Sequence, residues 1–359
     1  MTPIRLPPRT IKDVAEQAGV SLGTVSGVLN GTGCFSEVTR QRVWAVANEL
    51  NYTPNRQART LRAGGRPDGA VKTGIIMHVS HLGEGSPMDD PLEAPRSLLL
   101  AWLAEQRGMY PISYWYRTRK GFQCPPVLNG HVDGAIVGTP HPDVVRLLRE
   151  RLPLVLLDVP FMAANVDVPM VNVDLRQGFG RLMAELAALG HRRIGLLASD
   201  SIGDGVSTEA PNRQAIVDAA RLAGLELPAD CHLSDLITPA THEAMMARLT
   251  DALVPHIRSG RVTAIVTAGV SYGVTLYEHL ARRGIRVPDE VSLATPYPGM
   301  GQPPHGIAAV AIDWRAMIET ALDVLGAQID CKPSRCREFL VPPLFLPGAT
   351  LGPPPASQP

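Results

Sequence analysis

Two textures of hydrophobic and polar positions divide this chain. Over residues 10–62 the apolar residues recur at helical spacing. Ile11, Val14, Ala15 and Ala18 share one face of a first helix, Thr10 stands at its cap with Asp13 in the capping-box position, and Gly19 stops it where a left-handed residue is needed. Val20 is a buried turn position and Ser21 caps a second helix, whose apolar contacts are Leu22, Val25, Val28 and Leu29 and whose end is marked by Asn30-Gly31. Ser36 caps a third helix, in which Val38, Val43, Val46, Ala47 and Leu50 are expected to close a small core around or beside Trp44. A bend at Asn51-Tyr52-Thr53-Pro54 leads into one or two further helical turns.

After a flexible stretch, Ala63-Gly64-Gly65-Arg66-Pro67-Asp68-Gly69, the texture changes. Short continuous apolar runs follow: GIIMHV (74–79), GAIVG (134–138), LVLLDV (154–159), IGLLAS (194–199), VTAIVTA (262–268) and VSLA (291–294). Between them lie amphipathic helical patterns at 95–106, 144–151, 178–189, 212–223 and 272–283. Apolar strands separated by helices predict parallel sheets covered on both faces.

The 359 residues are ample for two or three domains. No apolar run approaches the ~20 residues that span a bilayer, and the first residues, MTPIRLPPRT, lack the apolar segment of a secretory signal. The five cysteines, Cys34, Cys124, Cys231, Cys331 and Cys336, are odd in number and scattered, which implies neither a disulfide framework nor a zinc site. A cytoplasmic protein is expected, nucleoid-associated when bound to DNA. The net charge is zero, but its distribution is uneven: up to Arg66 there are nine basic residues against four acidic, so the head is positive and the remainder negative. That is the electrostatic footprint of a nucleic-acid binder. Two short helices about a tight turn let the second protrude into a major groove, where Ser21, Thr24, Ser26 and Asn30 approach backbone or base edges. No P-loop, nucleophile elbow, metal-spaced His/Glu set or dinucleotide fingerprint is present, so an enzyme is disfavoured and no cofactor or metal is expected.

The segments DVAEQAGVS, TVS, VLN, LNYTPN and AR-LR resemble the signature of the lactose-repressor (LacI) family of bacterial transcription regulators, in ungapped register across the head. VNVDLRQGFGRLMAELAALGHRRIGLL, HVDGAIV and RGIRVPDEVSLA are similar to landmarks of that family's core, which is built like periplasmic sugar-binding proteins. The resemblance implies an all-α helix-turn-helix head (1–54), a hinge helix and linker (55–71), and an α/β core of two doubly wound parallel-sheet lobes (72–349) joined by three crossovers. Lobe one is expected at about 72–170 plus 311–338 and lobe two at about 171–310 plus 339–349. The proline-rich residues 350–359 are expected to form a flexible tail.

The resemblance also implies double-stranded operator DNA as partner. The expected DNA-contacting residues are Ser21, Leu22, Gly23, Thr24, Ser26, Asn30, Thr39, Tyr52, Asn55, Arg56, Ala58 and Leu61, with Leu61 wedging into the minor groove and small Ala58 permitting close approach. One departure matters: the family's usual arginine after TVS is Gly27 here, so direct readout is expected to be atypical or weak. In the cleft between lobes, the default ligand site, the candidates are His81, Asp158, Arg213, Tyr272 and Tyr297. Several of the family's polar anchors are replaced, by Asn212, by Gly269-Val270 and by Pro296-Tyr297-Pro298. A less hydroxylated effector than a sugar is expected, or none. The helix carrying Leu98, Leu99, Trp102 and Leu103 is a candidate dimer contact. The leading expectation is a homodimeric repressor of a palindromic operator, controlled by a small molecule; the alternative is a degenerate or ligand-independent DNA-binding regulator. A periplasmic solute-binding protein is disfavoured by the head.

Overall fold

The computed structural model describes residues 10–29, 33–50, 52, 72–81, 92–116, 132–138, 142–159, 167–199, 209–235, 241–270, 272–332 and 336–355. The chain divides into two compact units, residues 1–72 and 73–359. The first holds α1 (Ile11–Ala18), α2 (Leu22–Leu29) and α3 (Glu37–Glu49). Thr10 caps α1 in a complete capping box with Asp13, and Gly19 ends it at φ 64°, a left-handed position that suits a residue without a Cβ. The caps of α2 and α3 are the same device used twice: the Thr24 N–H donates to Ser21 Oγ (3.1 Å), and the Thr39 N–H donates to Ser36 Oγ (3.2 Å).

Val14, Ala15, Ala18, Val25, Val28, Val43 and Ala47 form the buried core of the head, with Val46, Leu50 and Tyr52 packed against it. The expected place of two residues is corrected. Val38 is 71 % exposed and Trp44 45 % exposed, so neither belongs to that core. Val43 and Ala47, one helical turn apart, occupy the inner face of α3, which turns Val38 and Trp44 outward. The expected hinge helix and linker over 55–71 lie outside the described residues.

The second unit contains two six-stranded sheets. Its elements run β1 (Ile75–His81), α4 (Glu93–Glu105), β2 (Tyr110–Tyr116), β3 (Gly134–Gly138), α5 (Pro142–Arg149), β4 (Leu154–Leu157), β5 (Met170–Val173), α6 (Leu175–Ala188), β6 (Ile194–Ser199) and α7 (Glu209–Leu222). They continue with β7 (His232–Asp235), α8 (His242–Arg258), β8 (Ala264–Thr267), α9 (Tyr272–Arg282), β9 (Ser292–Tyr297), β10 (Ala308–Ala311), α10 (Trp314–Ile329), β11 (Glu338–Val341) and β12 (Leu344–Leu346). The strand orders are β11-β5-β4-β3-β1-β2 and β12-β10-β9-β8-β6-β7, parallel except where β12 runs against β10. Both sheets thus wind outward in both directions from their first strand, and each is buried on both faces by apolar clusters.

The chain passes between lobes after β5, after β10 and after β11. An aspartate ends each of the first two passages: Asp174 accepts from the Gln177 N–H at the start of α6, and Asp313 accepts from the Ala316 N–H at the start of α10. The expected lobe boundaries need adjustment, because β5 and β11 both pair within the first sheet. Lobe one therefore extends through Val173 and includes Glu338–Val341. The expected flexible tail is also corrected in its first part. Thr350 Oγ1 donates to the Leu293 carbonyl (2.7 Å) and accepts from the Ala308 N–H (2.9 Å), while the Gly352 N–H donates to Ser292 Oγ (3.0 Å). Residues 350–352 are stitched into lobe two by groups that would otherwise be buried without partners.

Candidate functional site

On the head, α2 presents Ser21, Leu22 and Gly23 as an exposed N-terminal face, with Thr24, Ser26 and Gly27 half-buried behind it. Val25 and Val28 face inward and fix the helix to α1 and α3. The helix carries no charged residue along its whole length, Leu-Gly-Thr-Val-Ser-Gly-Val-Leu. Thr39 is half-buried beside its Ser36 partner, and Tyr52 packs against the head core, its N–H donating to the Ala47 carbonyl (2.8 Å). The expected contacts Asn30, Asn55, Arg56, Ala58 and Leu61 lie outside the described residues. This face carries hydroxyls and one leucine and no charge of its own.

In the core, the carboxyl ends of the strands of both lobes border a cleft. An inner cavity of about 190 Å³ is lined by Arg96, Asp158, Phe179, Asn212, Tyr297 and Trp314 together with aliphatic and proline side chains. A wider space of about 570 Å³ adjoins it and shares Arg96, Val270, Tyr297, Pro298 and Trp314. Of the expected effector residues, Asp158 and Tyr297 are therefore brought together here.

Two others are corrected. Tyr272 is 4 % exposed and belongs to the lobe-two core with Leu276 and Leu280; a Cβ on Gly269 would lie 2.3 Å from its ring, so the glycine makes room for an inward-turned tyrosine. Arg213 does not line the cavity, whereas Asn212 does, donating through Nδ2 to the Ala268 carbonyl (2.9 Å). A helix turns about 100° per residue, so the neighbour of a cleft-facing residue points elsewhere. The side chain of His81, the last residue of β1, lies outside the described set.

The sequence reading misses the charged heart of this cleft. Glu93, only 2 % exposed, accepts from Arg96, from Trp115 Nε1 (3.2 Å) and from Ser97 Oγ (3.2 Å). Arg96 also lies over the Trp314 ring, 5.0 Å from its centroid. Burial pushes the Glu93 carboxyl up, but the Arg96 charge, with hydrogen bonds from Arg96 and Trp115, outweighs it and holds it below the ordinary range. Behind the pair sits His78, within 3.3 Å of Ser80 Oγ and 3.4 Å of Ser97 Oγ; burial drives its pKa down to about 4, keeping it neutral. The signal was present as Glu-x-x-Arg in a first helical turn. The helix starts at Glu93 rather than at Pro95, because a proline in the first turn has no intrahelical bond to lose.

Asp158 follows β4 in a left-handed conformation, φ 57°. Its N–H donates to the Val171 carbonyl (2.9 Å), and the next N–H, of Val159, donates to Asn172 Oδ1 (2.8 Å), so β5 clamps the turn on both sides. Burial raises the carboxyl pKa to about 6 against the opposing pull of Arg96. The lobes are also bonded directly at the cleft floor, where Trp314 Nε1 donates to the Pro298 carbonyl (2.6 Å).

Away from the cleft, ligand atoms of Asp230, Cys231 and His256 lie within 4.8 Å of one another. Arg261 already donates to both Asp230 oxygens, and burial with the neighbouring carboxylate pushes the Cys231 thiol up, which opposes thiolate ligation. Among the described residues, no helix is long and apolar enough to cross a membrane.

Comparison with known proteins places both units. Residues 10–55 match the lacI family of bacterial regulatory proteins, and residues 183–351 match the periplasmic-binding-protein-like domain. The HTH-type transcriptional regulator DegA of Bacillus subtilis is 28 % identical over 294 residues, covering 79 % of this chain and 80 % of DegA. The lac repressor dimer bound to operator and the anti-inducer ONPF superposes with a TM-score of 0.69 at 21 % identity, over 96 % of this chain and 99 % of that one. A complex of the regulator CelR with cellobiose gives 0.60 at 21 % identity, over 95 % and 99 %. At such identities the two structures establish the fold alone. The helix-turn-helix head, the two-lobed core and the regulators to which both are similar lead to one conclusion: residues 10–55 are a lacI-family head, and the chain as a whole is similar to the DNA-binding transcriptional regulators of that family.

Proposed function

We propose that this regulator acts as a homodimeric repressor that binds a palindromic operator through α2, under the control of a small molecule in the inter-lobe cleft. The carrying observation is the combination of a rigidly capped α2, with Leu22 and Gly23 exposed at its N-terminus, and a core whose two lobes enclose a cavity bordered by Arg96 and Asp158. Two heads related by a two-fold axis match an inverted repeat. With no arginine on α2, base discrimination rests on methyl and hydroxyl contacts and on the minor-groove wedge expected from Leu61.

The dimer reading is supported by lobe one. On α4, Leu98 is 72 % and Trp102 50 % exposed, one helical turn apart, and Ile112 on the edge strand β2 is also exposed. Arg315 covers part of the Trp102 ring at 4.8 Å. In the proposed mechanism, ligand changes the angle between lobes and thereby the spacing of the two hinge arms, a coupling of ~1–3 kcal/mol. The clamped, strained Asp158 supports an effector over a ligand-independent regulator, since such a turn is otherwise an unrecovered cost.

Selection of bound sequences from random DNA tests the reading. An enriched inverted repeat is expected, and Leu61→Ala should weaken binding to it while sparing salt-sensitive non-specific binding. Absence of any enriched sequence would sink the operator reading. Leu98→Glu should shift sedimentation toward a monomer; an unchanged dimer would remove α4 from the interface.

A further inference from the structure

The Asp158 side chain is shaped for a particular kind of ligand. Its backbone is held left-handed at φ 57° by bonds to β5, and its carboxyl borders the inner cavity. Among the described residues, no side chain or backbone group donates a hydrogen bond to that carboxyl; burial and the charge of Arg96 are what act on it. A half-buried carboxyl with no donor among the described residues, fixed in a left-handed turn at a cavity wall, is a binding group for a donor supplied by a ligand.

Charge and size narrow that donor. Among the described residues, the charged groups of this part of the cleft are Glu93, Arg96 and Asp158, with His78 neutral behind them. Arg96 is already bonded to Glu93 and stacked on Trp314. One guanidinium thus answers two carboxylates, and the site carries an unbalanced negative charge when Asp158 is ionised. An anionic ligand would add to that imbalance. Among the described residues, lobe two contributes no charge to the cavity, only Asn212, Tyr297 and apolar side chains such as Phe179 and Val270, and the Asn212 amide is engaged with Ala268. A polyol would leave most of its hydroxyls against apolar walls. The inner cavity, about 190 Å³, corresponds to about six water molecules' share of liquid volume, the scale of a ring with a short chain.

We propose that the cleft binds a compact amphipathic amine, its protonated nitrogen held by Asp158 and its apolar or aromatic body lying against Trp314, Tyr297 and Phe179. The inference rests on the reading of the cleft as the effector site and names the class of effector. The aromatic walls favour the cation as well as the ring beside it.

Thermal unfolding of the full chain at pH 7.5 tests it, with phenethylamine, 2-phenylethanol, 3-phenylpropionate and cellobiose at matched concentrations. Phenethylamine should give a saturable upward shift, with an apparent affinity at least tenfold above the neutral alcohol and the carboxylate. Asp158→Asn, which keeps the shape and removes the charge, should fold with an undiminished Tm and lose at least tenfold in amine affinity. The proposal is overturned if phenethylamine gives no shift, if 2-phenylethanol, 3-phenylpropionate or cellobiose stabilises equally or more, or if the amine shift survives in Asp158→Asn. Operator selection without any small molecule separates the two readings: an enriched inverted repeat alongside a failed amine leaves the regulator standing and removes only the ligand class, while a shift from cellobiose alone keeps the cleft as effector site.

Discussion

The two lobes of the core share one winding order and open their inter-lobe helices with the same device, an aspartate cap at Asp174 or Asp313. Their cleft faces nevertheless differ in kind. Lobe one delivers Glu93, Arg96 and Asp158, with His78 buried behind; lobe two delivers Phe179, Asn212, Val270 and the Pro296-Tyr297-Pro298 turn. One lobe supplies charge and the other a low-dielectric cover. A cover of this sort strengthens every electrostatic interaction beneath it and makes an unpaired charge costly. Topology fixes where the cleft lies, and side chains at the strand ends decide what it can hold.

The sharpest way to break lobe one is Glu93→Ala. It removes the partner of a buried, triply hydrogen-bonded ion pair, leaving Arg96 and Trp115 without their acceptor, and should cost about 3–5 kcal/mol in chemical denaturation. A loss below about 1 kcal/mol would show the pair to be a solvated contact.

Next comes pH. The pKa of His78 is lowered from 6.5 to about 4 in the folded chain, so its contribution to stability is present above pH 6.5 and is lost as pH falls toward 4. The full effect is on the order of 3 kcal/mol. Asp158 has the opposite sign: raised from 3.8 to about 6, its contribution is present below pH 3.8 and lost as pH rises through 6. Between roughly pH 4 and 6 the two slopes oppose each other. On acidification through that window, Tm should fall less in His78→Gln than in the wild type, and more in Asp158→Asn. Equal slopes in all three proteins would contradict the burial assigned to these groups.

Lobe two is tested by Gly178→Ala in α6. An added Cβ would meet Pro343 at 2.5 Å and Val310 at 2.6 Å, where the last passage between lobes crosses the helix. A loss of ~1–3 kcal/mol is expected, with no change in the pH slopes. The smallest effect is that of Asp158→Gly measured against Asp158→Asn, since both lack the carboxyl and only the glycine relieves the left-handed turn. The glycine variant should gain roughly 1 kcal/mol over the asparagine one in Tm-derived stability, and both should lose ligand response; a glycine variant less stable than the asparagine one would mean that the turn is not strained.

The head was legible because its information is local. Thr10 with Asp13, Gly19, Ser21 and Ser36 act within one helical turn, and each stands in the structure where the spacing puts it. Val38 and Trp44 were misplaced because α3 has apolar residues on more than its inner face, and only packing chooses among them. In the core, the buried strands read directly as apolar runs. The edge strand β2, Tyr-Pro-Ile-Ser-Tyr-Trp-Tyr, did not, since half-exposed positions and a proline give no continuous run. α8 is not among the helical patterns read from the sequence; it holds Pro255 in its last turn, shortly before Arg258.

By itself the sequence determined the class of molecule, the caps and turns of the head, and the alternation that makes two parallel sheets. These follow from contacts between residues a few positions apart and from periods of hydrophobicity. The tertiary structure alone decided that Tyr272 is core, that Asn212 lines the inner cavity, and that Glu93, Arg96, His78 and Asp158 form one electrostatic unit. Charge, burial and strain there are properties of segments far apart in the chain, brought together by the winding of lobe one.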